Sequence, residues 1–250
     1  MASRGRSNPL ARGAEAGCLP SAVHSNSGRC EWRIARNPGT SLGSGKEQGI
    51  GRVMQAETAA TSTVQPRRWT REEYERLGET GVLGPEERVE LIDGEIIEVP
   101  PQLSRHATGV CLISDALRAL FRTGFTVRTQ LPLGLGDYSE PEPDVAVVRG
   151  TPRDFTEAHP TTAVLVVEVS DTTLSYDRDT KGSLYAAAGI PEYWILNLVD
   201  RQLEVYHDPG ALPGARFGSG YRTRVIALPG DAVDAPALTG ARVAVDDLLP

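Results

Sequence analysis

Lysine is almost missing from this chain. Of 26 basic residues, only Lys46 and Lys181 are lysines, and the rest are arginines. Where only positive charge is needed, a chain with this bias uses a guanidinium. A compact ammonium does something different: it sits beside a reacting oxygen as a point charge, or titrates when buried. The alternative for Lys181 is a chance lysine on a surface helix. Cysteine is also scarce. Cys18, Cys30 and Cys111 are too few, and odd in number, for a disulfide framework. Cys18, His24 and Cys30 match no zinc-ligand spacing and have no evident fourth ligand. No run of about 18 apolar residues occurs, so a membrane-spanning helix is not expected. The opening MASRGRSNPLARG has no apolar stretch long enough for a secretory signal, and a cytoplasmic protein is the expectation. Neither G-x-S-x-G nor G-x(4)-G-K-[ST] is present, which sets aside serine-hydrolase and phosphate-loop chemistry. No internal repeat is visible.

The charge that is present is uneven. Residues 1–53 hold 8 Lys+Arg against 3 Asp+Glu, and the remaining residues carry net −12, for −7 overall. A region at −12 does not bind nucleic acid non-specifically, because that binding depends on Lys and Arg displacing counterions from phosphates. Residues 1–53 are rich in Gly, Ser, Arg and Asn without apolar periodicity, and residues 1–65 are expected to be a disordered tail and linker, with a true start possible at Met54.

From residue 66 to 250 the pattern is that of one α/β (α+β) domain: a single mixed sheet flanked by helices. Thr70 and Glu73 form a capping-box pattern ahead of REEYERLGE. Residues 89–99 hold two apolar runs about Asp93–Gly94, a hairpin signal. Residues 105–122 have helical apolar spacing at Val110, Ile113, Leu117, Leu120 and Phe121. Strands are predicted at 125–135 and 144–148, and at 163–170, whose β-branched run suits burial on both faces. A helix is predicted over 178–188, a second hairpin over 192–198 and 202–207, and short strands near 222–227 and 241–245.

Two carboxylates fall at strand positions. Asp144 starts one apolar strand and Glu168 sits near the end of another. An ionised carboxylate in such a strand is costly unless it is paired or holds a metal. Two of them at adjacent strand ends can chelate one divalent ion, and magnesium takes one or two protein carboxylates plus waters. The Val169 carbonyl could add a further ligand. Lys181, one helix away, could then hold a water or stabilise developing charge. The competing reading pairs Glu168 with a neighbour such as Arg178 in an ordinary salt bridge.

Specific motifs then follow one another in order. They are Pro143-Asp144-Val145-Ala146-Val147, Val166-Val167-Glu168-Val169-Ser170, Asp177-Arg178-Asp179-Thr180-Lys181, Tyr185-Ala186 and Gly189-Ile190-Pro191-Glu192-Tyr193-Trp194. With Glu90-Leu91-Ile92-Asp93-Gly94 and His106 upstream, the chain resembles the Uma-two family of restriction-endonuclease-type proteins, over nearly all of residues 66–250. The resemblance implies a fold of the PD-(D/E)XK nuclease superfamily, with Asp144 and Glu168 as metal-binding carboxylates. A strict E-x-K would place lysine at Ser170, so the resemblance moves that role to Lys181 on the following helix. It implies Mg²⁺, with Mn²⁺ as a substitute, no organic cofactor, DNA as substrate and compatibility with a homodimer. Glu90 is a supporting candidate. Asp177 reads as a helix cap, His106 as a structural histidine, and Tyr185 and Trp194 as core. The alternative function is a catalytically silent nuclease-fold protein that binds or regulates.

Overall fold

The computed structural model describes residues 65–84 and 86–250. The expectations for the tail, including those for Cys18, His24, Cys30, Lys46 and Met54, lie outside the described residues. The first helix, α1 (Arg71–Glu79), starts at a full capping box: the Thr70 side chain accepts from the Glu73 amide, and Glu73 accepts from the Thr70 amide. This satisfies two amides that have no partner within the helix. The hairpin follows as β1 (Val89–Ile92) and β2 (Glu95–Glu98). Its turn residues Asp93 and Gly94 both have positive φ, 51° and 81°, as a tight two-residue turn requires. The hairpin is a two-stranded ribbon of its own, and Leu91 makes a bridge to Glu140.

Helix α2 (Ser104–Leu120) leads into a six-stranded sheet. Its strands are β3 (Phe125–Thr129), β4 (Val145–Arg149), β5 (Leu165–Ser170), β6 (Glu192–Asn197), β7 (Gln202–Ala211) and β8 (Ser219–Ala227), in that spatial order. Only β5 and β6 are parallel, and a helical crossover joins them. The crossover comprises α3 (Leu174–Tyr176), a wide five-residue π turn (Asp177–Lys181) and α4 (Gly182–Ala187). A small ribbon, β9 (Ala232–Asp234) with β10 (Arg242–Ala244), follows.

Alternation along the central strands creates two cores. Val145, Val147, Val167, Val169, Trp194 and Leu196 pack with Val110, Ile113 and Leu117 of α2 on one face. Ala146, Val148, Val166, Tyr193 and Ile195 pack with Leu184, Tyr185 and Ile190 on the other. That is why β5 reads as an unbroken apolar run: both of its faces are covered.

Several boundaries differ from the sequence reading. The strand predicted over 125–135 ends at Thr129, because Gln130 turns into positive φ (50°) and the chain leaves the sheet. The helix predicted over 178–188 begins four residues earlier, at Leu174. Asp177 therefore lies inside the helical run and does not cap it. Strands β7 and β8 run longer than expected, and β9 carried too few apolar residues to be legible.

Candidate active site

The site is assembled at the ends of β4 and β5. Their register sets Val145 against Val167 and so brings Asp144, just before β4, beside Glu168. The Asp144 amide donates to Glu168 Oε2 at 3.2 Å, and the Val169 amide donates to Asp144 Oδ2 at 2.9 Å. Glu168 alternates with Val167 and Val169, so it faces the crossover helix and not α2. Lys181, at the end of the π turn, reaches back over the strand. Its Nζ lies 3.0 Å from Glu168 Oε1 and donates to Glu90 Oε1 at 3.1 Å. One turn later, the Tyr185 hydroxyl donates to the same Glu168 Oε1 at 2.7 Å.

The structure thus brings Asp144, Glu168, Lys181 and Glu90 into one buried cluster. Glu90 is not solvent-facing, because β1 turns it inward toward Lys181. His106, in the first turn of α2, places Nε2 3.2 Å from Asp144 Oδ2, and Gln130 Nε2 donates to Asp144 Oδ1 at 3.2 Å. Asp177 is buried and accepts from the hydroxyls of Ser170 and Thr173, so its carboxylate braces the end of β5 where a cap was expected. Arg178 does not pair with Glu168. It points away and pairs with the fully buried Glu204 of β7, which also accepts from Tyr206 and Asn197. The π turn makes this division possible. Its extra residue directs Asp177 and Lys181 into the site while Arg178 anchors the crossover to the sheet, and such turns recur at functional sites.

Sequence reasoning assigned Tyr185 to core packing and did not single out Gln130. The signal for Tyr185 was available: it lies four residues after Lys181 and so shares its helix face. For Gln130 no signal existed, because its role depends on where β3 leaves the sheet.

Burial dominates the protonation of the cluster. It pushes the Glu168 carboxyl up to about 8, with the Lys181 ammonium opposing and the Asp144 carboxylate reinforcing. Burial likewise raises Glu90 and Asp177 against the pull of Lys181. For Asp144 burial is outweighed by the hydrogen bond and charge of His106 and by the Val169 amide, so its carboxyl is held below the usual range. Burial would also lower His106 and Lys181. The Asp144 bond raises His106 instead, and Glu168 with Glu90 keeps Lys181 firmly protonated. The surroundings thus favour the ionised form of Asp144 and the protonated form of Lys181, while the Glu168 carboxyl is shifted furthest toward neutral pH, to about 8.

The donor chemistry suits a hard divalent cation. Asp144, Glu168, Glu90 and Asp177 supply more potential negative charge than Lys181 and His106 offset, and Asp144 with Glu168 presents two adjacent carboxylates. Two are sufficient for magnesium, which keeps most of its waters. Among the described residues no three His, Cys, Asp or Glu side chains are gathered closely enough to hold a metal together. Glu90 and Asp177 are instead engaged by Lys181 and by Ser170 and Thr173. Above the cluster a cavity of about 970 Å³ opens between the sheet end, α1, the hairpin and the start of α2.

Comparison with known proteins bears on this geometry. A family model, Uma2, described as "Putative restriction endonuclease", matches residues 71–246. Among solved structures, the chain is similar to a crystal structure described as a putative nuclease belonging to DUF820 from Anabaena variabilis ATCC 29413. The identity is 16% and the TM-score 0.53, over 72% of this chain and 96% of that one. At that identity the likeness concerns the fold. A search of curated proteins gives no match.

Proposed function

The chain belongs to the Uma2 family of restriction-endonuclease-type proteins, and on that premise we propose that it is a Mg²⁺-dependent endonuclease hydrolysing phosphodiester bonds in DNA. The observation that carries this reading is the meeting of Asp144, Glu168 and Lys181 at the floor of one cavity, although they come from two strands and a helix. A divalent cation held by Asp144 and Glu168 would supply Lewis-acid polarisation of the scissile phosphate and of an attacking water. The chain's own groups do the rest. Lys181 places a fixed positive charge where negative charge builds on the phosphoryl oxygens. Tyr185 and the Asp144 amide hold the two oxygens of Glu168, while Gln130 and His106 hold those of Asp144. Glu90 keeps the Lys181 ammonium directed into the cluster. Such outer partners fix the orientation of ligating carboxylates and tune their basicity.

The acidic charge of residues 54–250 favours a second reading, a protein of this fold that binds a partner without cleaving. One assay separates the two. The full chain is incubated with native and heat-denatured DNA in Mg²⁺, Mn²⁺ or EDTA, beside Glu168→Ala and Lys181→Ala. The nuclease reading expects cleavage by the parent with a cation, none in EDTA, and a loss of at least about 100-fold in each variant. Equal cleavage by parent and Glu168→Ala would remove it. Binding of DNA by all three proteins without cleavage by any would favour the silent protein.

A further inference from the structure

The cavity above the site has features that the proposed chemistry does not require, and they bear on what can enter. It holds about 970 Å³, at the upper end of the range for small-molecule pockets. The groups at its floor are nearly closed off: Asp144, Glu168 and Lys181 are 7%, 3% and 6% exposed. A reacting phosphodiester therefore has to descend into the cavity, since it cannot be met at a surface.

The lining has two kinds of wall. One is acidic: among the described residues nine Asp and Glu side chains border the cavity, against Arg88 and Lys181 as its Lys and Arg residues. The other is apolar, made by Leu83 after α1, Val89, Ile97 and Val99 of the hairpin, and Pro100 and Leu103 leading into α2. A duplex carries roughly one negative charge per 1.7 Å of axis, and proteins that grip it neutralise many phosphates with Lys and Arg. This lining has no such track. A duplex also keeps its bases paired and stacked inside, where an apolar wall cannot reach them. An unpaired strand differs in both respects. A few nucleotides bring few phosphates to repel, and their free bases expose flat faces that can pack on apolar side chains.

We infer, resting on the nuclease reading above, that this cavity admits unpaired strand a few nucleotides at a time, and that base pairing protects the substrate. The scissile phosphodiester sits at the Asp144–Glu168–Lys181 floor. The bases beside it pack on the wall formed by the hairpin and the residues leading into α2.

The test uses the full chain with one short labelled oligodeoxynucleotide, free or annealed to its complement as a blunt duplex, in Mg²⁺ or Mn²⁺. The free strand is expected to be cut at least roughly tenfold faster than the duplex. Leu103→Asp probes the wall. Leu103 is 63% exposed and stands at the N-cap of α2, where it makes no side-chain cap bond. Aspartate is a favoured residue at that position, so the variant is expected to fold. It should raise KM for the free strand several-fold, by more than it lowers kcat. Duplex cut as fast as free strand, or KM unchanged in Leu103→Asp, would overturn the inference and leave the nuclease reading standing. Cleavage of neither form with either cation would overturn both.

Discussion

Glu168 accepts from an amide and a phenol and pairs with an ammonium, yet burial still lifts its carboxyl to about 8. The linkage has a definite sign. The folded protein holds this proton more tightly than the unfolded chain, whose carboxyl titrates near 4.5. The contribution is therefore fully present below about 4.5 and is lost as pH rises through about 8, at up to roughly 1.4 kcal/mol per pH unit. Without divalent cation, melting of the parent should fall between pH 5 and pH 8 more steeply than melting of Glu168→Gln, which has no proton to lose. Mg²⁺ should flatten the parent's slope, because a bound cation takes the proton's place. Parallel slopes for the two proteins in EDTA would mean that Glu168 is already ionised when buried. At this scale the two carboxylates were legible in the sequence, because a charged residue inside a β-branched run needs a partner. The partners themselves were less so: Glu90 meets Lys181 across 91 positions, and no local pattern announces that.

At the scale of elements, α2 owes its seat on the sheet to one missing side chain. A Cβ at Gly109 would stand 3.0 Å from Val169 Cγ1 and 3.4 Å from Leu196 Cδ2, so the helix lies as close to β5 and β6 as backbone allows. His106, one turn earlier, reaches Asp144 because of that approach. Gly109→Leu should lift the helix. We expect a loss of about 1–3 kcal/mol in urea unfolding, together with a fall in cleavage, whereas Thr108→Leu on the exposed side should change either little. Unchanged activity in a folded Gly109→Leu protein would separate His106 from the site. Helices and central strands were readable here from apolar periodicity. The π turn was not, since an inserted residue leaves the spacing on each side intact while rotating one segment against the other. The end of β3 escaped for a related reason: apolar residues continue to Leu135, but the backbone has already turned at Gln130.

At the scale of the whole molecule, charge decides how substrate arrives. Residues 54–250 carry net −12 and the cavity is bordered by acids. Affinity for nucleic acid then cannot rest on many released counterions. The dependence of log KM on log salt should have a slope of about 1 or less in magnitude, against roughly 5 or more for a protein that grips 6–10 phosphates. A steep slope would reveal a basic track elsewhere on the chain. The excess of acid in residues 54–250 was visible in the composition alone. Its placement around the site was not, because composition carries no positions in space.

The single parallel pairing in the sheet has a consequence for inheritance. Strand β5, its crossover and β6 form one continuous stretch, Leu165–Asn197, and it contains Glu168, Asp177, Lys181 and Tyr185. Asp144, Glu90 and His106 come from outside it. A recombination joint on each side of this stretch would transplant the titrating carboxylate together with its ammonium and phenol as one cassette. The recipient would have to supply only an aspartate at the end of the neighbouring strand, a hairpin glutamate and a helix packed closely enough to deliver a histidine.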